Sequence, residues 1–112
     1  MTTIARSPDA QVLAEIVQRI VEAVHPLRII MFGSAARGEM GRDSDLNLMV
    51  VMPNGTHRRH TAQFLYGKLG GIDTAIDIVV ATPQDLREYG DWTSFIYHQA
   101  LREGKVVYEP QS

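Results

Sequence analysis

Three short stretches of this chain carry residue types suited to holding a phosphate and a hard cation: Gly33-Ser34, the alternating pair Asp45-Leu46-Asn47, and Asp77. Glycine lets backbone N–H groups approach a phosphate closely, serine adds a hydroxyl donor, and a helix beginning at that point adds partial positive charge. Gly33 and Ser34 therefore suit a triphosphate tail. Asp45 and Asn47, one residue apart on an extended segment, share one face. With Asp77 from a neighbouring strand they offer oxygen ligands to magnesium, which favours carboxylates, waters and substrate phosphates.

Other uses of the same residues fit less well. Asp43-x-Asp45-x-Asn47 opens like a calcium loop, but that loop needs glycine next and glutamate at its twelfth position, where this chain has Leu48 and Asn54. Gly33 to Gly38 lacks both the Gly-Lys-Ser/Thr ending of a P-loop and the glycine triplet of a dinucleotide site. A plain capping turn would explain Gly33-Ser34 if Asp45 and Asp77 were absent. Arg37 suits a phosphate or the metal carboxylates, and equally an ordinary surface pair. Asp77, set among Ile76, Ile78, Val79 and Val80, reads as a buried or site-facing carboxylate. Trp92, Phe95 and Tyr97 read as core and partner contacts.

The elements that must position these residues can be read along the chain. Ser7-Pro8 has the form of a cap followed by first-turn proline, and Val12, Leu13, Ile16, Val17, Ile20, Val21 and Val24 then recur at helical spacing. His25-Pro26 ends that helix. Leu27 to Phe32 predicts a buried strand, Ala35 to Met40 a short helix, and Asp45 onward a strand with a polar face. Pro53-Asn54-Gly55 is a turn, Thr56 to Leu69 a moderately amphipathic helix ended by Gly70-Gly71, and Thr74 to Ala81 a third strand. Thr82-Pro83 opens a helix to about Tyr89, Asp91 to Arg102 predicts another, and Lys105 to Tyr108 a last strand. Helices interleaved with strands argue an α/β or α+β layer around a small sheet.

At 112 residues the chain is expected to form a single domain, with its core over about 10–108. Without cysteine it has no disulfide, thiolate metal site or cysteine nucleophile. The first ten residues lack the apolar core of a secretory signal, and no apolar stretch is long enough to span a bilayer. A cytoplasmic protein is expected. The net charge of −2 gives no general attraction to nucleic acid, so direct nucleic-acid binding is not expected; the best local basic patch is His57-Arg58-Arg59-His60.

The run GSAARGEMGRDSDLNLMV resembles the signature of minimal nucleotidyltransferases of the polymerase-β type: Gly-Ser, ten residues, then Asp-x-Asp on a strand. With Asp77 in the third acidic position, the resemblance spans roughly residues 10–108. It implies an α+β fold, a small mixed sheet flanked by helices. It also implies magnesium-dependent transfer of a nucleotidyl group, AMP foremost, from ATP or another nucleoside triphosphate to a hydroxyl. Asp45, Asn47 and Asp77 would be the catalytic and metal-binding residues, on two magnesium ions, with Gly33, Ser34 and Arg37 on the nucleotide. The family further implies a helical HEPN-type toxin as partner and an antitoxin role exerted by adenylylation; an oligomer is compatible with it. One position departs from the pattern. Asn47 stands where the family has its second aspartate, so the ligand set loses one negative charge. Losing one preorganised electrostatic group costs about 10²–10³ in rate. An antitoxin that acts only by binding its partner, or a nucleotide-binding structural subunit, are the alternatives that this substitution raises.

Overall fold

A computed structural model of the chain describes residues 9–38, 45–89, 100 and 102–110. Its elements run α1 (Ala10–Val24), β1 (Arg28–Phe32), a 3-10 turn (Gly33–Ala35), β2 (Leu46–Val51), α2 (Arg58–Lys68), β3 (Ile76–Ala81), α3 (Pro83–Tyr89) and β4 (Lys105–Tyr108). The strands form one sheet in the order β3-β2-β1-β4. β1 pairs antiparallel with both β2 and β4, whereas β2 and β3 are parallel. A parallel pair needs a long crossover, and α2 lies within it. This is the small mixed α+β sheet that the sequence predicts.

Alternation along the strands sorts side chains into two layers. Ile29, Met31, Leu46, Leu48, Val50, Ile78 and Val80 face α1 and α2 and pack with Ile16, Ile20, Leu65 and Leu69. Ile30, Phe32, Met49, Val51 and Ala81 form the opposite layer with Ala100, and Leu86 of α3 packs against it. β2 lies in the middle of the sheet: Leu46, Leu48, Met49 and Val50 are wholly buried. Each contributes about 1.5–3 kcal/mol of burial free energy, so β2 is anchored from both faces of the sheet. Among the described residues no helix is long and apolar enough to cross a membrane.

The helix ends differ in part from expectation. The N-cap of α1 is Asp9, whose carboxylate accepts from the N–H groups of Gln11 at 2.8 Å and Val12 at 3.2 Å. Ser7 and Pro8, read as the cap signal, lie outside the described residues. α1 ends at His25, which adopts the left-handed conformation at φ 47 ahead of Pro26. α2 begins at Arg58 rather than Thr56. The Thr56 hydroxyl instead donates to the Pro53 carbonyl at 2.7 Å, and the His57 ring nitrogen caps the helix by accepting from His60 N–H at 3.2 Å. β3 starts at Ile76, two residues later than predicted. α3 has the expected start: Thr82 Oγ1 accepts from Asp85 N–H and Asp85 Oδ2 accepts from Thr82 N–H, a reciprocal box with Pro83 at the first helical position. Of the helix predicted over Asp91 to Arg102, residues 91–99 and 101 lie outside the described set, while Ala100, Arg102 and Glu103 are helical.

Gly104 carries the chain from that last helical turn into β4. A Cβ there would collide with the Ala100 carbonyl oxygen and with Ile30 Cγ2 in the second core layer. Overpacking of this kind costs about 1–3 kcal/mol. Gly104→Ala is therefore expected to lower the thermal midpoint by roughly 4–8 °C for each kcal/mol lost. Differential scanning calorimetry measures this, and an unchanged midpoint would show that the chain leaves the helix by another route.

Candidate functional site

The candidate residues meet where the sheet ends and apolar burial stops. Phe32, the last residue of β1, pairs with Asn47 of β2, and Asn47 pairs on its other side with Asp77 of β3. Neighbouring strands lie about 4.8 Å apart, so the Asn47 amide and the Asp77 carboxylate are side by side on one face. Asp45 precedes Asn47 by two residues and joins that face by alternation. Its backbone is held there because the next residue, Leu46, donates its N–H to the Ala75 carbonyl at 2.8 Å, continuing the pairing beyond β3. All three side chains belong to the face opposite α1 and α2. Asp45 and Asp77 are exposed and Asn47 is half-buried.

Gly33 closes the site from the β1 side. It turns the chain at φ 76, a conformation that L side chains rarely adopt. A Cβ on it would lie 2.7 Å from Asn47 Nδ2. The backbone of Gly33 thus passes directly against the Asn47 side chain, and only glycine allows both the turn and the approach. The sequence predicts a helix from Ala35 to Met40. The described residues instead form one 3-10 turn over Gly33–Ala35, closed by Ala36 N–H to the Gly33 carbonyl at 3.1 Å, with turn residues continuing to Gly38. Three residues sum few peptide dipoles. The polar groups available at this turn are the Ser34 hydroxyl and the first N–H groups, which have no partner within it.

Arg37 makes an ion pair with Glu103 at 3.2 Å, with both side chains partly exposed. That contact ties the turn to the segment leading into β4, and an exposed pair of this type contributes about 0–1 kcal/mol. The basic run at the start of α2 is engaged in folding: the His57 ring caps the helix and stacks on His60 with centroids 3.9 Å apart, and Arg58 pairs with Asp85 at 3.3 Å.

One participant was not singled out from the sequence. The Tyr66 hydroxyl, on α2, donates to Asp77 Oδ1 at 3.2 Å and accepts the Ile78 backbone N–H at 2.8 Å. Burial of the hydroxyl is the largest cause raising the Tyr66 pKa above the usual 10; the Ile78 N–H opposes it, and the negative charges of Asp77 and then Asp45 add to the rise.

No group of three His, Cys, Asp or Glu side chains among the described residues is arranged to hold a metal by itself. The donors present are two carboxylates and one amide. Such an all-oxygen, incomplete set fits magnesium, which commonly binds one or two carboxylates and completes its shell with water and substrate phosphate. It lacks the histidine and cysteine ligands typical of a structural zinc site.

Comparison with known proteins identifies the family and the fold. The model of the nucleotidyltransferase domain family matches residues 11–107, and the chain belongs to that family. A comparison with curated proteins found no significant match. Among solved structures, the fold is similar to a protein described as a nucleotidyltransferase from Sulfolobus solfataricus, with a TM-score of 0.60 at 16% identity over 88% of this chain and 78% of that one. It is similar to a mutant of the toxin–antitoxin MntA-HpeT, with a TM-score of 0.59 at 24% identity over 88% and 73% of the two chains. A protein described as a minimal nucleotidyltransferase gives a TM-score of 0.51 at 29% identity, covering 86% of this chain and 88% of that one.

The contact between Gly33 and Asn47 can be tested as two separable terms. Gly33→Ala is expected to cost about 1–2 kcal/mol for the left-handed backbone and an additional amount for displacing the Asn47 side chain. Adding Asn47→Ala should recover the second part and leave the first. Chemical denaturation of the two single variants and the double variant reads the coupling. Strict additivity would show that the backbone does not pass against Asn47.

Proposed function

We propose that this chain is a magnesium-dependent nucleotidyltransferase that moves a nucleotidyl group, AMP foremost, from a nucleoside triphosphate to a hydroxyl of a partner protein. The observation that carries the reading is the in-register pair Asn47 and Asp77 with the Gly33 turn packed against Asn47: a close approach bordered by two oxygen-bearing side chains on adjacent strands. Family membership supports the reaction class. The similarity to the MntA-HpeT toxin–antitoxin supports an antitoxin role, with a toxin as the protein modified; a HEPN-type toxin is the partner that the sequence resemblance implies. The cytoplasm, where nucleoside triphosphates and such a partner meet, is the compartment this function requires.

In this reading the Gly33 and Ser34 backbone and the Ser34 hydroxyl hold the β- and γ-phosphates. Asp45, Asn47 and Asp77 would hold magnesium, which would supply charge neutralisation at the triphosphate and alignment of the acceptor with the leaving group. The acceptor hydroxyl forms a bond from its oxygen to the α-phosphorus, the bond from that phosphorus to the bridging oxygen breaks, and pyrophosphate departs. Asp77 takes the hydroxyl proton. Arg37, one turn beyond the phosphate-binding residues, would leave Glu103 to meet the nucleotide.

Asn47 favours a second reading on a specific ground. An amide oxygen can ligate but adds no charge, so the site balances the metal's charge with two carboxylates only. A protein that keeps nucleotide binding but silences its partner by contact alone would tolerate this residue.

The two readings separate on one substitution. Asn47→Asp restores an anionic ligand and is expected to raise nucleotidyl transfer by about 10²–10³, while Asp45→Ala abolishes it in either background. Incorporation of labelled nucleotide into a HEPN-type toxin co-expressed with this chain is the assay. Transfer that stays at background in Asn47→Asp, while the unaltered complex still silences the toxin, would replace the catalytic reading by the binding one.

A further inference from the structure

The reaction just described depends on a carboxylate that stands on an exposed strand edge. β3 is the outer strand of the sheet, and an edge strand presents alternate N–H groups to solvent instead of to a partner. Asp77 is exposed, and an exposed carboxylate turns freely about its side-chain bonds among several staggered positions. A metal-binding oxygen must be held within about 0.5 Å of its working place.

Tyr66 removes that freedom. Its ring comes from α2, inside the crossover that joins β2 to β3, and its hydroxyl reaches the open edge of β3. There the hydroxyl accepts the outward-pointing Ile78 N–H at 2.8 Å. A phenol has one hydrogen to give, and with its oxygen fixed by Ile78 that hydrogen goes to Asp77 Oδ1 at 3.2 Å. We propose that Tyr66 is a positioning residue for Asp77: anchored on Ile78 N–H, its hydroxyl occupies Oδ1 and leaves Oδ2 in a fixed place as the oxygen that ligates the metal. The proposal rests on the nucleotidyl-transfer reading of the site. It makes α2 part of the active site although the helix packs on the opposite face of the sheet, and it accounts for a tyrosine that is 45% exposed yet spends its hydroxyl on two bonds at the strand edge.

The test compares Tyr66→Phe with Asp77→Ala and the double variant, reading Mn²⁺ uptake by electron paramagnetic resonance in the presence of a non-hydrolysable ATP analogue. Thermal melting is followed in parallel. Phenylalanine keeps the ring and loses only the hydroxyl, so the fold is retained and any loss at the Ile78 N–H appears equally in both backgrounds as a lower midpoint. Removing a group that orients a metal ligand typically weakens metal affinity 10–100-fold. Tyr66→Phe is therefore expected to weaken Mn²⁺ uptake at least tenfold when Asp77 is present, and to change it less than twofold in Asp77→Ala. Equal losses in both backgrounds would make the tyrosine merely structural and overturn the proposal, as would no loss in either. If the unaltered chain takes up no Mn²⁺ with the analogue, the nucleotidyl-transfer reading itself falls and takes this one with it.

Discussion

The double pairing of Asn47, with Phe32 on one side and Asp77 on the other, is the constraint from which the candidate site follows. Side chains alternate along a strand, so a slip of one residue in either pairing would send Asn47 or Asp77 to the face covered by α1 and α2. The slip is prevented by the same alternation. It would carry Leu46, Leu48 and Val50 out of the core as it carried the polar residues in, and these three are wholly buried. The core thereby sets the register, and the register sets the site.

The arrangement also explains how a small domain keeps polar residues at the end of a buried strand without an unsatisfied interior. The apolar residues of β2 occupy the middle of the sheet, while Asp45 and Asn47 lie where β1 gives way to the Gly33 turn. On the outer side, the edge of β3 is met by Tyr66. One hydroxyl satisfies a backbone N–H that the sheet cannot, and the same hydroxyl bonds the acid beside it. Fold and site therefore share this group, and the helix that makes the parallel crossover possible also supplies it.

Much of this was legible in the sequence because the strands are strongly patterned. Leu27 to Phe32 and the run around Asp77 read as strands from their β-branched residues, and the spacing from Ser34 to Asp45 and Asn47 located the polar end of β2. What was not legible depended on contacts between distant segments or on atypical caps. Asp9 and Ser7 are both good capping types two residues apart. His57 is not a usual cap, and Thr56, which is, is held by Pro53 instead. Gly33–Ala35 form a 3-10 turn and residues up to Gly38 continue as turn, where a helix from Ala35 is expected; residues 39–40 of that helix lie outside the described set. Tyr66 gave no signal at all: a single tyrosine on a helix is ordinary, and its relation to Asp77 exists only once α2 crosses back over β3.

The central claim is that the Gly33 turn and the paired Asn47 and Asp77 beside it receive a metal-bound nucleotide, and paramagnetic relaxation addresses it most directly. Mn²⁺ with a non-hydrolysable ATP analogue, added to isotope-labelled protein at substoichiometric metal, broadens the backbone amide signals of groups near the ion. The account predicts selective loss of the Ser34, Asn47, Asp77 and Ile78 signals, with those of α1 and β4 retained, and the loss should vanish in Asp45→Ala. Broadening centred on another part of the chain, or none at millimolar nucleotide, would contradict it.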